Sequence, residues 1–222
     1  MGDPLNIIMS CPVVKPHGLN NIDEAGTINP DNQMPYPEIL ESLPLHDPEA
    51  ENLALHREAS TIPKTSTHST WTYPSERMFY SALRRKGHEP AAEDIPAMLT
   101  IHNFLNEAVW AEVLRWEVIK DPKCTVSLER FWGRFGEWTP RSWFFCNIMG
   151  APLPFDRHDW VIRRCDGTSA RYIIDYYPSN EGDAVFNCDV RPALDSFANA
   201  KLRMVSAFIE FKEYIFNKVQ ST

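Results

Sequence analysis

The sequence predicts an α+β protein, mainly helical, with a small antiparallel sheet placed before a C-terminal helix. Three observations lead there. Apolar residues recur at helical spacing over 95–113 and 194–215, two β-rich runs flank the pair Asp166-Gly167, and residues 1–66 show no sustained period. Composition divides the chain in the same way. The first 66 residues hold nine of the 18 prolines and one aromatic, Tyr36, and their ten acids against three bases give −7 of the formal −8. The remaining 156 residues hold all seven tryptophans and all twelve phenylalanines. The expected organisation is a Pro-rich, acidic and largely disordered tail over 1–66, carrying a Cys-Pro-Val motif, and one folded domain over 67–222.

Taken in order, Pro48–Ser60 has room for one or two helical turns at the edge of the tail. Tyr73 precedes Pro74 and is expected to be extended, with Pro74 opening a helix that runs to Lys86 and stops at Gly87. Asp94 is the expected N-cap of a longer helix reaching about Glu117, with Pro96 in its first turn. Its apolar face comprises Ile95, Met98, Leu99, Leu105, Ala108, Val109 and Val113. Ser127–Phe135 reads as a short helix and Glu137–Arg141 as a loop around Pro140. Asp159–Cys165 and Ser169–Tyr177 read as a hairpin, Ala184–Val190 as a third strand, and about Ala193–Asn217 as the final helix.

Several function classes lose support. No run approaches the eighteen or so apolar residues of a membrane span, and the N-terminus has neither a secretory nor an arginine-rich transit pattern. No basic patch suits nucleic acid; Arg84-Arg85-Lys86 reads as the basic end of a helix. The five cysteines (11, 124, 146, 165, 188) are odd in number and have no Cys-x-x-Cys spacing, so neither a disulfide framework nor a zinc cluster is expected. There is no G-x-S-x-G, G-x-G-x-x-G or P-loop, and no H-E-x-x-H among the seven histidines.

Four features remain. His102 shares a helix face with Met98, Leu105, Asn106 and Val109. A neutral imidazole among apolar neighbours suits an axial haem ligand, although spacing alone favours a histidine at the polar edge of a core. Trp71, Tyr73 and Pro74 form an aromatic–proline corner, able to line a flat apolar ligand or to act as a packing staple. Phe155-Asp156-Arg157-His158-Asp159-Trp160 gathers an imidazole, two carboxylates and a guanidinium at the start of a strand. Cys11-Pro12-Val13 has the form of a haem-regulatory Cys-Pro motif.

These segments, in this order, resemble the mitochondrial holocytochrome c synthase (cytochrome c-type haem lyase) family. The resemblance rests on Trp71-Thr72-Tyr73-Pro74-Ser75-Glu76-Arg77-Met78-Phe79-Tyr80, on Ile101-His102-Asn103 with Asn106-Glu107, Trp110 and Trp116-Glu117, and on Leu153-Pro154-Phe155-Asp156-Arg157-His158-Asp159-Trp160. Arg171–Tyr177, Asp189–Asp195 and Arg57–Pro63 add to it. It runs from about Asn32 to Ser196, departs at His88, where the family has an aromatic, and follows the pattern loosely over 121–150.

The resemblance implies an enzyme that joins haem b, bound as substrate, to apocytochrome c or c1. Thioether bonds would form between the vinyl groups and the cysteines of a Cys-x-x-Cys-His motif. It marks 67–222 as the catalytic domain and His102 as axial ligand of the haem iron, with Glu107 completing the catalytic motif. It marks Trp71, Tyr73, Pro74, Asn103, Asn106 and His158 for haem binding, and Cys11 as a further candidate iron ligand. It implies residence in the mitochondrial intermembrane space, with peripheral contact to the inner membrane, for which Trp143–Met149 is the candidate segment. No nucleic-acid partner is implied. A non-covalent haem chaperone and an aromatic-rich interaction module are the rival readings.

Overall fold

Four antiparallel strands in the order β3-β4-β5-β6 form the main sheet: β3 (Val126–Gly133), β4 (Asp156–Arg164), β5 (Ser169–Pro178) and β6 (Phe186–Pro192). A two-stranded ribbon, β1 (Ala59–Pro63) with β2 (Thr70–Thr72), precedes it. The helices are α1 (Glu76–Arg85), α2 (Ile95–Lys120), α3 (Pro140–Met149) and α4 (Phe197–Gln220), so the α+β expectation is met. The computed structural model describes residues 29, 36, 48–65, 67, 69–85, 88–134, 136–178 and 186–220.

The core follows from the alternation of the strands. Val126, Leu128, Trp160, Ile162, Tyr172, Ile174, Tyr176 and Val190 point to one face of the sheet, where Val109, Trp110 and Val113 of α2 meet them. The 3.6-residue period of α2 brings these three to one side of the helix. Below them on the same helix, Glu117 is buried and grips Arg164 of β4 through two hydrogen bonds of 2.6 and 2.7 Å, while Tyr172 donates to the same carboxylate. A second apolar cluster joins a 3-10 turn at Pro48–Asn52 to α1 and the start of α2, through Ala50, Leu53, Phe79, Tyr80, Leu83, Ile95 and Met98.

The opposite face of the sheet is ionic. Asp159, 0% exposed, receives Arg157 and Arg171, and Arg134 Nε stands 3.0 Å away as an ion pair without hydrogen-bond alignment. Asp175, also fully buried, pairs with Arg191 at 2.5 Å and accepts from Thr139 at 3.4 Å. The carboxylates and guanidiniums in this layer are paired, as burial of charge demands.

Five expectations are corrected. Of the short helix expected over Ser127–Phe135, residues 127–133 lie in strand β3 and Phe135 lies outside the described residues; a register shift between Leu128 and Arg130 breaks the strand alternation and leaves a helix-like spacing of apolar residues. The supposed loop around Pro140 is the start of α3. Thr139 and Ser142 close a capping box, Pro140 sits in the first turn, and Gly150 (φ 69°) ends the helix in the left-handed conformation. Cys124 and Cys165 are joined in a disulfide across 41 positions, which a search for short Cys-x-x-Cys spacing does not find. Residues 48–65, assigned to the tail, carry the 3-10 turn and β1, and Ile62 is buried in the main core. Finally, β6 extends to Pro192 and the last helix starts at Phe197 rather than Ala193.

The hairpin expectation holds. Gly167 adopts φ 79°, the left-handed turn position between β4 and β5, and Asp166 Oδ1 accepts from the Thr168 amide. Asp94 does stand at the N-terminus of α2, but after a 3-10 turn at Ala92–Asp94 and without a side-chain cap hydrogen bond. The final helix faces the protein with Asn199, Leu202 and Ser206, whereas Phe197 (88% exposed), Met204, Phe208 and Phe211 point outward. Of the apolar residues at helical spacing in this helix, Leu202 is buried while Phe197 and Phe208 lie on the surface.

Candidate functional site

His102 stands in the first third of α2, one turn after Met98 in the second cluster and seven residues before Val109 in the main core. The helix spacing thus sets the imidazole, half-buried, at the seam between two apolar bodies. The Phe79 ring of α1 lies 5.4 Å from it, centroid to centroid, and the Tyr73 ring 6.2 Å away, nearly edge-on. Its Nδ1 is 3.2 Å from Asn103 Oδ1. The Asn106 amide donates to the His102 carbonyl at 2.7 Å and lies 3.4 Å from Nε2.

The aromatic side of the site is delivered by the ribbon. The Tyr73 amide donates to Glu58 O at 2.8 Å, and Arg57 binds the carbonyls of Tyr73 and Thr72, so the chain leaves β2 in a fixed direction. Pro74, with no N–H, bridges to Ser75, whose hydroxyl accepts from the Met78 amide at the start of α1. The Tyr73 hydroxyl then donates to Glu107 Oε1 at 2.8 Å.

Glu107 is the anchor of this arrangement. Besides Tyr73 it accepts from the Thr61 amide at 3.0 Å and from the Thr61 hydroxyl. Burial works to raise its pKa, but these three donors outweigh it and hold the carboxyl below its ordinary value. The phenol of Tyr73 moves the other way, pushed far above its ordinary value first by burial and then by the carboxylate it faces. Glu107 therefore stays ionised and Tyr73 stays neutral, tying β1, β2 and α2 into one frame around His102.

The candidate residues do not all gather here. Tyr73, Asn103, Asn106 and Glu107 surround His102 or brace its helix. Trp71 instead packs edge-on against Phe131 at 5.2 Å, donates its indole N–H to Leu128 O and lies under Lys64 Nζ. His158 stands on β4, 3.8 Å from Asp156 and edge-on to Tyr176. Cys11 lies outside the described residues. Two residues that sequence reasoning gave no role belong to the site. Thr61 supplies two of the three donors to Glu107, and the Glu58 carboxylate accepts from Asn103 Nδ2 at 3.1 Å. Both lie in the Arg57–Pro63 segment, whose placement in the tail concealed them.

The donor set suits a haem iron. An imidazole with Nδ1 against an amide oxygen directs its Nε2 lone pair toward a donor or a metal; here Nε2 faces the Asn106 amide at 3.4 Å, a contact an iron would replace, and Phe79 and Tyr73 offer ring surface beside it. Among the described residues one other group, Asp121, Cys124 and Cys165, has metal-ligand atoms within 4.8 Å of one another, but its two sulfurs are bonded to each other.

The family model for cytochrome c/c1 heme lyase matches residues 6–126 and 118–207, which include every candidate site residue. The chain belongs to the cytochrome c/c1 heme lyase family. It is 39% identical over 216 residues to a holocytochrome c-type synthase of Homo sapiens, covering 90% of this chain and 75% of the relative. The corresponding protein of Bos taurus is also 39% identical, over 90% of this chain and 73% of the relative. A holocytochrome-c synthase of Saccharomyces cerevisiae is 38% identical, over 80% and 74%. No solved structure matches the chain. As a member of this family the chain is an enzyme, and the architecture above is what its haem-lyase sequence motifs build.

Proposed function

We propose that the chain attaches haem b to apocytochrome c, apocytochrome c1 or both through thioether bonds to a Cys-x-x-Cys-His motif. The observation that carries this reading is His102, held by Asn103 at the seam of two clusters with Phe79 and Tyr73 beside it. His102 takes one axial position of the haem iron and the substrate histidine the other. Each substrate thiol then lies next to a vinyl group. The S–H adds across the vinyl C=C, sulfur bonding to the carbon nearer the ring and hydrogen to the terminal carbon, so no oxidant is consumed. The substrate brings its own nucleophiles, and the protein contributes position, which is worth several kcal/mol when reacting groups are held at attack distance. That accounts for a site without a nucleophile–base pair.

Glu107 serves by bracing: it fixes Tyr73 and Thr61 against α2. Trp71 and Pro74 set the approach to Tyr73, and His158 contributes from β4. Cys11 is assigned a secondary role as thiolate ligand during haem delivery. The site of action is the mitochondrial intermembrane space, on the surface of the inner membrane. Two observations support this. A disulfide at Cys124–Cys165 suits a compartment that oxidises thiols. Trp143, Phe144, Ile148 and Met149 of α3 are exposed together, and no described helix is long and apolar enough to cross a membrane.

Co-expression with each apocytochrome, followed by acid–organic extraction, tests the reaction. Haem that stays with the cytochrome supports the lyase. Haem that extracts completely would support a chaperone, and absence of a Soret band an interaction module.

A further inference from the structure

The Asn103 side chain is 9% exposed and touches two partners that impose opposite demands on its two ends. Glu58 Oε2 lies 3.1 Å from Nδ2, and His102 Nδ1 lies 3.2 Å from Oδ1. An ionised carboxylate only accepts hydrogen bonds. The amide must therefore turn its NH₂ toward Glu58, which leaves its oxygen toward the ring. An amide oxygen also only accepts, so Nδ1 of His102 must carry the proton. The remaining nitrogen, Nε2, is then the one with the lone pair, turned toward the Asn106 NH₂ group 3.4 Å away, which iron would displace.

Glu58 is itself well placed to impose this. Its backbone carbonyl accepts from the Tyr73 amide at 2.8 Å, one residue before β1 begins. The neighbouring Arg57 guanidinium is spent on the carbonyls of Tyr73 and Thr72. The Glu58 carboxylate is thus aimed from the ribbon at the buried amide.

We propose that Glu58 is a positioning residue for the iron-binding nitrogen of His102, acting through the Asn103 amide; this rests on the reading of His102 as haem ligand. The chain Glu58–Asn103–His102 selects the Nε2 lone pair for iron. It also strengthens the ring as a donor, because a proton pulled toward a carboxylate-polarised amide oxygen leaves more electron density on the opposite nitrogen. Extra donation favours ferric over ferrous iron, so the relay lowers the reduction potential of bound haem.

The test uses the full chain, purified with haem bound, and five variants. In Glu58→Ala the haem dissociates faster, by roughly ten- to a hundredfold, the usual scale for losing an outer partner of a metal ligand. Its haem potential moves up. Glu58→Gln is isosteric and can still accept from Asn103 without the charge. It retains haem better than Glu58→Ala, with a potential between that variant and wild type, and it keeps the test open should Glu58→Ala fold poorly. Adding Glu58→Ala to Asn103→Ala changes neither reading further, because the two act in series. Wild-type potential and dissociation rate in both Glu58 variants overturn the proposal. His102→Ala separates the two levels: if that variant keeps the wild-type haem spectrum, the ligand assignment fails, whatever the Glu58 variants show.

Discussion

The Tyr73 hydroxyl donates to Glu107 Oε1 at 2.8 Å, joining the end of the β1–β2 ribbon to the helix that carries His102. With the backbone bonds of Tyr73 to Glu58 and Arg57, this bond holds the aromatic ring beside the imidazole, 6.2 Å away. Tyr73→Phe keeps the ring and loses the bond. Thioether yield on apocytochrome c is expected to fall by roughly tenfold, the scale of loosening a positioned group, with the fold intact by circular dichroism. An unchanged yield would mean that the ring needs no such tether.

The two groups also give opposite pH dependences. Glu107 titrates lower in the folded chain than in the unfolded one, so its contribution is full above the ordinary value near 4.3 and is lost as pH falls through the depressed folded value. Tyr73 titrates higher when folded, so its contribution is full below about 10 and is lost at more alkaline pH. Thermal melts of wild type and Glu107→Gln should therefore differ at pH 7 and converge only once the pH has fallen through the depressed folded value of Glu107. A gap that stays constant into acid would show that Glu107 gains nothing from its three donors.

The Glu117–Arg164 pair is a stability element remote from the chemistry. Both side chains are 4% exposed, and burial works against the Arg164 charge while Glu117 more than restores it. Glu117→Ala leaves that guanidinium buried and unpaired, together with the Tyr172 hydroxyl. The expected cost is about 3–5 kcal/mol in denaturant unfolding. A loss under about 1 kcal/mol would indicate that water reaches Arg164 and replaces the carboxylate.

The Cys124–Cys165 disulfide ties the turn after α2 to the β4–β5 hairpin. Loop-closure entropy for a separation of this length corresponds to about 4 kcal/mol. Cys124→Ser and reduction by dithiothreitol should lower the melting temperature of the wild-type chain by the same amount, and reduction should not alter Cys124→Ser. Equal melting temperatures for oxidised and reduced wild type would contradict the linkage.

The face of α3 offers a separate test of membrane contact. Replacing Trp143, Phe144 and Ile148 together by serine changes exposed positions, so melting should shift little. Sedimentation with anionic vesicles should be lost in this variant and retained by wild type. Equal sedimentation would move the contact elsewhere, with the outward stripe Phe197, Met204, Phe208 and Phe211 of α4 the next surface to alter.

How far these features could be read from sequence depended on whether the determining interaction was local. The α2 face was legible because Ile95, Met98, Val109 and Val113 repeat at helical spacing and are all buried. The hairpin was legible because Gly167 meets a conformational demand on the spot. His102 and its neighbours were legible from a motif within six residues. By contrast, β3 is a strand because β4 pairs with it through a shifted register, a long-range fact invisible in Ser127–Phe135. The disulfide and the Glu58–Asn103 bond, spanning 41 and 45 positions, belong to the same category. The weak hydrophobicity of residues 48–65 concealed their part in the fold, because Leu53 and Ile62 bury against helices and strands far along the chain.

Everything turns on the His102 imidazole as the iron ligand. The direct measurement is covalent haem on apocytochrome c co-expressed with His102→Ala, read by haem stain after acid–organic extraction, with a melt of the purified variant alongside. The expected result is a folded variant that retains no haem and yields no holocytochrome. A folded His102→Ala chain giving normal holocytochrome would contradict the account.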